Sequence, residues 1–251
     1  LKSFAGIFWK LIWILLYKII GGKIIWTVHN KYPHTVNFKS FNKTIRKLMA
    51  SLADKLLVHC SAAIDIMTDV LNVERDKFSI VEHPDFIAHI FDRSEAISQF
   101  NQKYSAAING SDKLFLMFGN IASYKGILKC AEIFSGLEKN KKLIIAGGVK
   151  KGNLEYFTNL KKVCANAENI ILIDRLIPES EVPLFFNLTD YVIFNYHQVL
   201  TSGGIILALN YRKNIIAPKI GCIPEIESEK LFLFDTNNGN NDALLNLLKI
   251  I

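Results

Sequence analysis

Three short stretches carry residue types suited to gripping an anion or moving a proton. In Gly119-Asn120-Ile121-Ala122-Ser123-Tyr124-Lys125-Gly126 an apolar run stops at a glycine, and a lysine stands just before the next helical pattern. Gly119 permits close backbone approach, Asn120 follows it, and Lys125 offers a point charge to a phosphate. A solvated lysine at a helix start has the same spacing. In Thr201-Ser202-Gly203-Gly204 a small-residue turn precedes the apolar run from Ile205 to Leu209. Thr201 or Ser202 suits a helix cap, and the Gly203 and Gly204 amides can face a diphosphate without side-chain obstruction. An ordinary capped helix is the plainer account. His29-Asn30 closes a third apolar run, with Pro33-His34 close behind. A histidine there can hold a substrate hydroxyl or exchange a proton near neutral pH. His34 and His83 raise the local number of imidazoles but form no recognisable metal set.

The elements that must position these residues follow from apolar periodicity. Lys23 to Val28, Lys55 to Val58 and Phe78 to Val81 read as short buried strands, the kind found in parallel sheets. Between them fall helical patterns over 41–53, capped by Ser40, and 61–71, capped by Ser61. From residue 113 onward the alternation restarts. Strands are predicted over 114–118, 142–146, 169–173, 191–195, 214–217 and 231–234, and helices over 127–137, 154–167 and 204–211, with a further segment over 180–187. Strands alternating with helices specify a doubly wound parallel sheet. The expected organisation is an incomplete N-terminal Rossmann-like domain over 1–95, a linker over 96–112 in a polar stretch that includes a helix around Glu95 to Tyr104 and ends in Asn-Gly-Ser-Asp, and a C-terminal Rossmann-like domain over 113–251. In such sheets ligands bind beyond the carboxyl ends of the strands, where all three stretches fall.

Composition narrows the partners. Half of the 251 residues are hydrophobic and 21% are charged, which excludes disorder. The net charge of +7 points to anionic partners. The basic residues form no long run, however, so a phosphate-bearing ligand or an anionic membrane fits better than nucleic acid. Cys60, Cys130, Cys164 and Cys222 show no paired or metal-ligand spacing and read as buried thiols of a reducing compartment. Phe4 to Ile20 is nearly all apolar, with Trp9, Trp13 and Tyr17 at four-residue steps. Lys10 near its middle would cost about 3 kcal/mol at a bilayer centre, so the segment reads as a core or membrane-surface helix rather than a span. The chain opens at Leu1 and stops at Ile251 inside an apolar pattern, so both ends read as cut.

These stretches, taken together, resemble the two-domain glycosyltransferases of the GT-B fold, specifically the retaining, nucleotide-sugar-using group 1 or family 4-like type of bacterial surface polysaccharide synthesis. The resemblance is carried by Trp26 through His34, Ala53 through His59, Val81 through Pro84, Phe118 through Gly126, Leu143 through Gly147, and Asp190 through Tyr196 continuing to Thr201-Ser202-Gly203, in that order. It implies two Rossmann-like domains facing a cleft, with His29 beside the reacting sugar. Lys125 would meet the donor diphosphate together with the amides around Ser202, Gly203 and Gly204. Ile177-Pro178-Glu179 resembles the loop flanking the nucleotide base, and Gly221-Cys222-Ile223-Pro224-Glu225 the family's late loop, which makes Glu225 a candidate for the cleft wall along with Asn30, His34 and His83.

The expected activity is hexosyltransferase-type transfer from a UDP- or GDP-linked sugar to a saccharide or polyprenyl-linked acceptor. The donor is a substrate, and no further cofactor or metal is called for. The expected setting is the cytoplasm, with peripheral contact at the inner membrane face as an addition. Three departures from the family pattern support an alternative. Asn120 stands where an arginine is usual, and Val199 and Leu207 stand where paired glutamates are common. That alternative is a catalytically degenerate sugar-nucleotide-binding or partner subunit. Arg212 and Asn214 also replace the usual Gly and Pro.

Overall fold

The structure, a computed structural model, describes residues 4–31, 39–236 and 242–251. The chain forms two compact units, Leu1–Glu82 and His83–Ile251.

The first unit contains α1 (Phe4–Ile19), β1 (Ile25–Thr27), α2 (Lys39–Leu52), β2 (Lys55–Val58), α3 (Ser61–Leu71) and β3 (Phe78–Ile80). Its three strands pair in parallel in the order β1-β2-β3, with Trp26 opposite Leu56 and Leu57 opposite Ser79. Two expected caps are displaced. Ser40 lies inside α2, and the residue capping α3 is Cys60, whose sulfur accepts from the Ala63 amide. Asp54 joins α1 to the sheet: its carboxylate accepts from Lys18 Nζ at 2.8 Å and from the Ile24 amide at 2.7 Å. Those contacts hold the Asp54 carboxyl far below the usual carboxylate range.

The apolar side chains of α1 are not packed as a core helix would pack them. Phe8, Trp9, Trp13 and Tyr17 are each at least 50% exposed. Among the described residues no helix is long and apolar enough to cross a membrane.

The second unit runs α4 (Arg93–Tyr104), β4 (Lys113–Phe118), α5 (Ile127–Ser135), β5 (Lys141–Ala146), α6 (Leu154–Ala165), β6 (Ile170–Ile173), α7 (Val182–Leu188), β7 (Tyr191–Ile193), α8 (Gly203–Asn210), β8 (Asn214–Pro218), β9 (Leu231–Phe234) and α9 (Asp242–Ile250). Its six strands are all parallel, in the order β6-β5-β4-β7-β8-β9. Side chains of a strand alternate between faces, and the core divides accordingly. Leu114, Leu116, Ile144, Val192 and Ile215 pack in one layer with residues of α4, α7 and α8. Phe115, Met117, Leu143, Ile145 and Ile216 pack in the other with residues of α5, α6 and α9.

Of the four expected buried thiols, Cys130 and Cys164 are free and buried. Cys60 and Cys222 are buried as well, but neither is a free thiol.

The boundary differs from the expected linker over 96–112. Residues 83–91 already belong to the second unit, because Asn187 and Asn210 bind that segment. Asn210 Oδ1 accepts from the Phe86 amide at 2.9 Å, and Asn187 Oδ1 accepts from the Phe91 amide at 3.2 Å. The α4 helix is then part of the core: Ala96 and Phe100 are fully buried, and the Phe100 ring meets Phe185 edge-on at 5.7 Å. Phe100→Ala is therefore expected to lower stability by about 3–5 kcal/mol, the usual range for emptying a buried aromatic site. A urea titration reads this as a lower midpoint with an unchanged slope. A near-neutral result would return α4 to the status of a linker.

Candidate functional site

The strand order of the second unit reverses beside β4. The chain goes from β4 outward to β5 and β6, then returns to place β7 on the other side of β4. Loops leaving β4 and β7 therefore diverge at their carboxyl ends, the place where doubly wound sheets open a crevice. Both candidate phosphate stretches leave the sheet there.

Close backbone approach locks the two loops together. Gly126 has φ +63° and ends the β4 loop. A Cβ on it would stand 2.3 Å from the Asn195 carbonyl oxygen. Asn195, buried at the end of β7, donates from Nδ2 to the Gly126 carbonyl at 3.0 Å. The His197 amide donates to the Tyr124 carbonyl at 2.9 Å. The Tyr124 ring lies nearly parallel to Tyr196 at 6.2 Å, and the Tyr196 hydroxyl is 3.1 Å from Ser202 Oγ. A continuous path of contacts thus joins the Lys125 loop to the start of α8.

Lys125 itself folds back under its own loop. Its Nζ donates to the Phe118 carbonyl at 3.0 Å and lies 3.0 Å from where a Cβ on Gly119 would stand. Gly119, at φ +89°, suits this position for steric and conformational reasons alike. Burial, and then the neighbouring Lys150 charge, push the Lys125 ammonium down to about 8. Burial also raises the Tyr196 hydroxyl to about 12, and the bond to Ser202 only partly opposes it. Asn120 is exposed on the same loop.

Ser202 occupies the cap position of α8, but its hydroxyl bonds Tyr196 and makes no side-chain cap. The cap expected from Thr201 or Ser202 is therefore not made by Ser202. Gly203 and Gly204 open the first helical turn, where leading amides lack an intrahelical acceptor, and the Ile205 amide behind them donates to the Ser202 carbonyl at 3.1 Å. His83 borders this turn, its Nε2 lying 3.3 Å from where a Cβ on Gly203 would stand. The late loop packs there too: the Cys222 amide donates to the Leu200 carbonyl at 2.8 Å. Glu225 ends the short helical turn that follows and is exposed.

Ile177 and Glu179 belong to the loop after β6, at the sheet's edge. Ile177 packs against the core and Glu179 is exposed. That loop is braced by Arg175, which reaches both Glu181 and the Tyr104 hydroxyl, the latter at 2.7 Å. Their bonds hold the Glu181 carboxyl down to about 2, with Arg175 the largest contributor.

In the first unit, His29 lies two residues beyond β1, with Asn30 next to it. The Asn30 carbonyl accepts from Arg46 at 2.7 Å. His34 lies outside the described residues. Sequence reasoning gave no role to His59, just beyond the adjacent strand β2. His59 Nε2 is 3.2 Å from His29 Nδ1, and His59 Nδ1 is 2.9 Å from the Val81 carbonyl. A carbonyl can only accept, so His59 Nδ1 carries the proton and donates it. When His59 is neutral, its Nε2 accepts from His29 Nδ1–H, which leaves the lone pair of neutral His29 on Nε2.

A six-stranded parallel sheet whose two candidate loops leave it at the strand-order reversal defines the second unit as a doubly wound domain of the nucleotide-binding type. Residues 98–250 match the family described as Glycosyl transferases group 1, and the chain belongs to that family. No curated protein matches the sequence. Among solved structures, the fold is similar to that of Anabaena HepE in complex with UDP, at 15% identity and a TM-score of 0.73, covering 94% of this chain and 64% of that one. It is also similar to a glycosyltransferase from Rickettsia africae, at 18% identity and a TM-score of 0.69, covering 99% of this chain and 72% of that one. Sucrose-phosphate synthase from Thermosynechococcus elongatus gives 14% identity and a TM-score of 0.72, covering 94% and 60%. The chain thus spans about two thirds of the length of the HepE structure. The two parallel α/β units and these neighbours agree with the GT-B fold class expected from the sequence.

Proposed function

We propose that the chain transfers a sugar from a UDP- or GDP-linked donor to a saccharide or lipid-linked saccharide acceptor, the nucleotide binding to the second unit. The observation that carries this reading is the contact path from Lys125 through Tyr124, Tyr196 and Ser202 to the open amides of α8. It links the loop that carries the cation to the helix start that offers backbone donors. In the transfer, the bond from the sugar's anomeric carbon to the diphosphate oxygen breaks, and a bond to the acceptor oxygen forms as the acceptor's hydroxyl proton passes to the departing diphosphate. Negative charge grows on the departing diphosphate. Lys125 and the Gly203 and Gly204 amides stabilise it there, the kind of electrostatic assistance that is often the largest catalytic contribution.

His29 holds the reacting group in this proposal. His83, Asn30, His34 and Glu225 line the sugar's surroundings, and Ile177 with Glu179 flanks the base. A hexosyl donor, a retaining outcome and a role in surface polysaccharide synthesis complete the proposal, with peripheral contact at the inner membrane face. Support comes from family membership and from the neighbours' recorded ligands: HepE was crystallised with UDP and with UDP-glucose.

The reading is tested by thermal melting of the chain with UDP-, GDP- and CMP-linked sugars. A ligand present at a hundred times its Kd and bound only to the native state adds about 2.7 kcal/mol. A clear rise in Tm is expected with a UDP or GDP sugar; no rise with any of the three would refute nucleotide-sugar binding. One observation favours a second reading, a binding or partner subunit without catalysis. Val199 and Leu207, where acidic residues are usual in the family, pack against the apolar core instead. Release of free sugar or of a transferred product by the purified chain decides between the two.

A further inference from the structure

The sheet sets a second lysine beside Lys125. Strands β4 and β5 run in register to their ends, Phe118 opposite Ala146. Beyond them the two loops stay paired through a parallel bridge between Ile121 and Val149. The Ile121 amide donates to the Gly148 carbonyl at 2.9 Å, and the Lys150 amide donates to the Ile121 carbonyl at 3.0 Å. These bonds fix the backbone of Lys150 alongside the loop that carries Lys125. The Lys150 ammonium lies 5.4 Å above the Tyr124 ring, the residue preceding Lys125.

Two ammonium groups held together and partly out of water repel each other. Burial lowers the pKa of both, and the Lys150 charge is the second cause of the Lys125 shift. Among the described residues, neither ammonium is in an ion pair with a carboxylate. A polyanion meeting both groups removes the repulsion. The face of an aromatic ring attracts a cation but supplies no such charge.

We propose that Lys150 is a second cation of the diphosphate site, meeting the same phosphoryl groups as Lys125. This rests on the nucleotide-diphosphate reading above and adds a residue to it. Lys150 is tethered through the β5 loop, so it reaches the ligand from the side opposite β7. It shares the charge that Lys125 would otherwise neutralise alone.

The test is calorimetric titration of the whole chain with UDP, GDP and inorganic pyrophosphate. The variants are Lys150→Gln, Lys150→Ala and Lys150→Arg, with Lys151→Ala as the neighbouring control. Losing one charge-assisted contact weakens binding about 10-fold or more. That loss is expected in Lys150→Gln and Lys150→Ala for whichever probe binds the unsubstituted chain. Lys150→Arg is expected to keep most of the affinity, and Lys151→Ala all of it. Pyrophosphate, which has no base, must show the same loss if the contact is to phosphate. Binding by Lys150→Gln within twofold of the unsubstituted chain overturns the inference and leaves the nucleotide reading standing. Failure of the unsubstituted chain to bind any of the three probes overturns both.

Discussion

Replacing Lys125 with Met is expected to cut sugar transfer by about 10²–10³-fold, the range seen when one preorganised donor to a developing oxyanion is removed. The same change should leave the protein at least as stable at pH 7. Both effects have one cause. The ammonium is drawn into the β4 loop against the Phe118 carbonyl and beside Lys150, and its pKa is about 8 because the fold disfavours the charge. The methionine stem fills the same space without that penalty.

The sign of the pH dependence follows from the same shift. An unfolded lysine titrates near 10.5, so between about 8 and 10.5 the unfolded chain holds the proton that the native chain has released. Native stability from this group therefore rises with pH across that window, and the full penalty is present below it. Diphosphate binding runs the other way: it needs the ammonium, so affinity falls as pH rises through about 8, and binding takes up a proton there. Of the other titratable groups around Lys125, Tyr196 is raised to about 12 and so stays neutral in this window, and burial raises Tyr124 as well. Lys150, lowered as well, loses charge in the same direction. Calorimetry in buffers of different ionisation enthalpy measures the proton uptake. An affinity that is flat from pH 7 to 10, or a Lys125→Met protein that still turns over normally, would remove Lys125 from the site.

The sequence made the alternation of strands and helices legible because buried parallel strands are short apolar runs, and every strand expected from residue 114 onward is found within three residues of its position at either end. The boundary was not legible. Residues 92–112 are polar and end in turn-forming residues, and only Ala96, Ile97 and Phe100 of α4 are buried, a stripe too narrow to stand out. The tether of residues 83–91 depends on Asn187 and Asn210, about a hundred residues further along the chain. Lys125 and the Ser202-Gly203-Gly204 turn were legible because glycines and small residues mark strand ends. Lys150 was not, since only the parallel register of β4 and β5 brings it beside Lys125. At Arg212, where the family commonly has glycine, the structure keeps the glycine-like conformation with φ +56°, so the turn after α8 survives the change of residue. Strain of that kind is invisible in composition.

His29→Ala is expected to lower turnover by about 10²–10⁴-fold, the usual range for a positioned acid or base, with UDP affinity left within twofold of the original. The split follows from where the residue sits. His29 belongs to the first unit, whereas the proposed nucleotide contacts are made by the second. Its Nδ1 meets His59, which in turn bonds the Val81 carbonyl just beyond the neighbouring strand. Because His59 donates to that carbonyl, its other nitrogen is an acceptor. It can therefore accept from His29 Nδ1–H whether His29 is neutral or protonated. A proton arriving at His29 Nε2 then needs no rearrangement behind it. His59→Phe removes that acceptor, so it should lower turnover by a smaller factor, again without loss of UDP binding. His59→Gln keeps an acceptor and should restore part of the rate. Steady-state kinetics beside UDP titrations separate these outcomes. Equal losses of turnover and UDP affinity in His29→Ala would place His29 in nucleotide binding, and unchanged turnover would leave the His29 and His59 pair a structural feature of the strand ends.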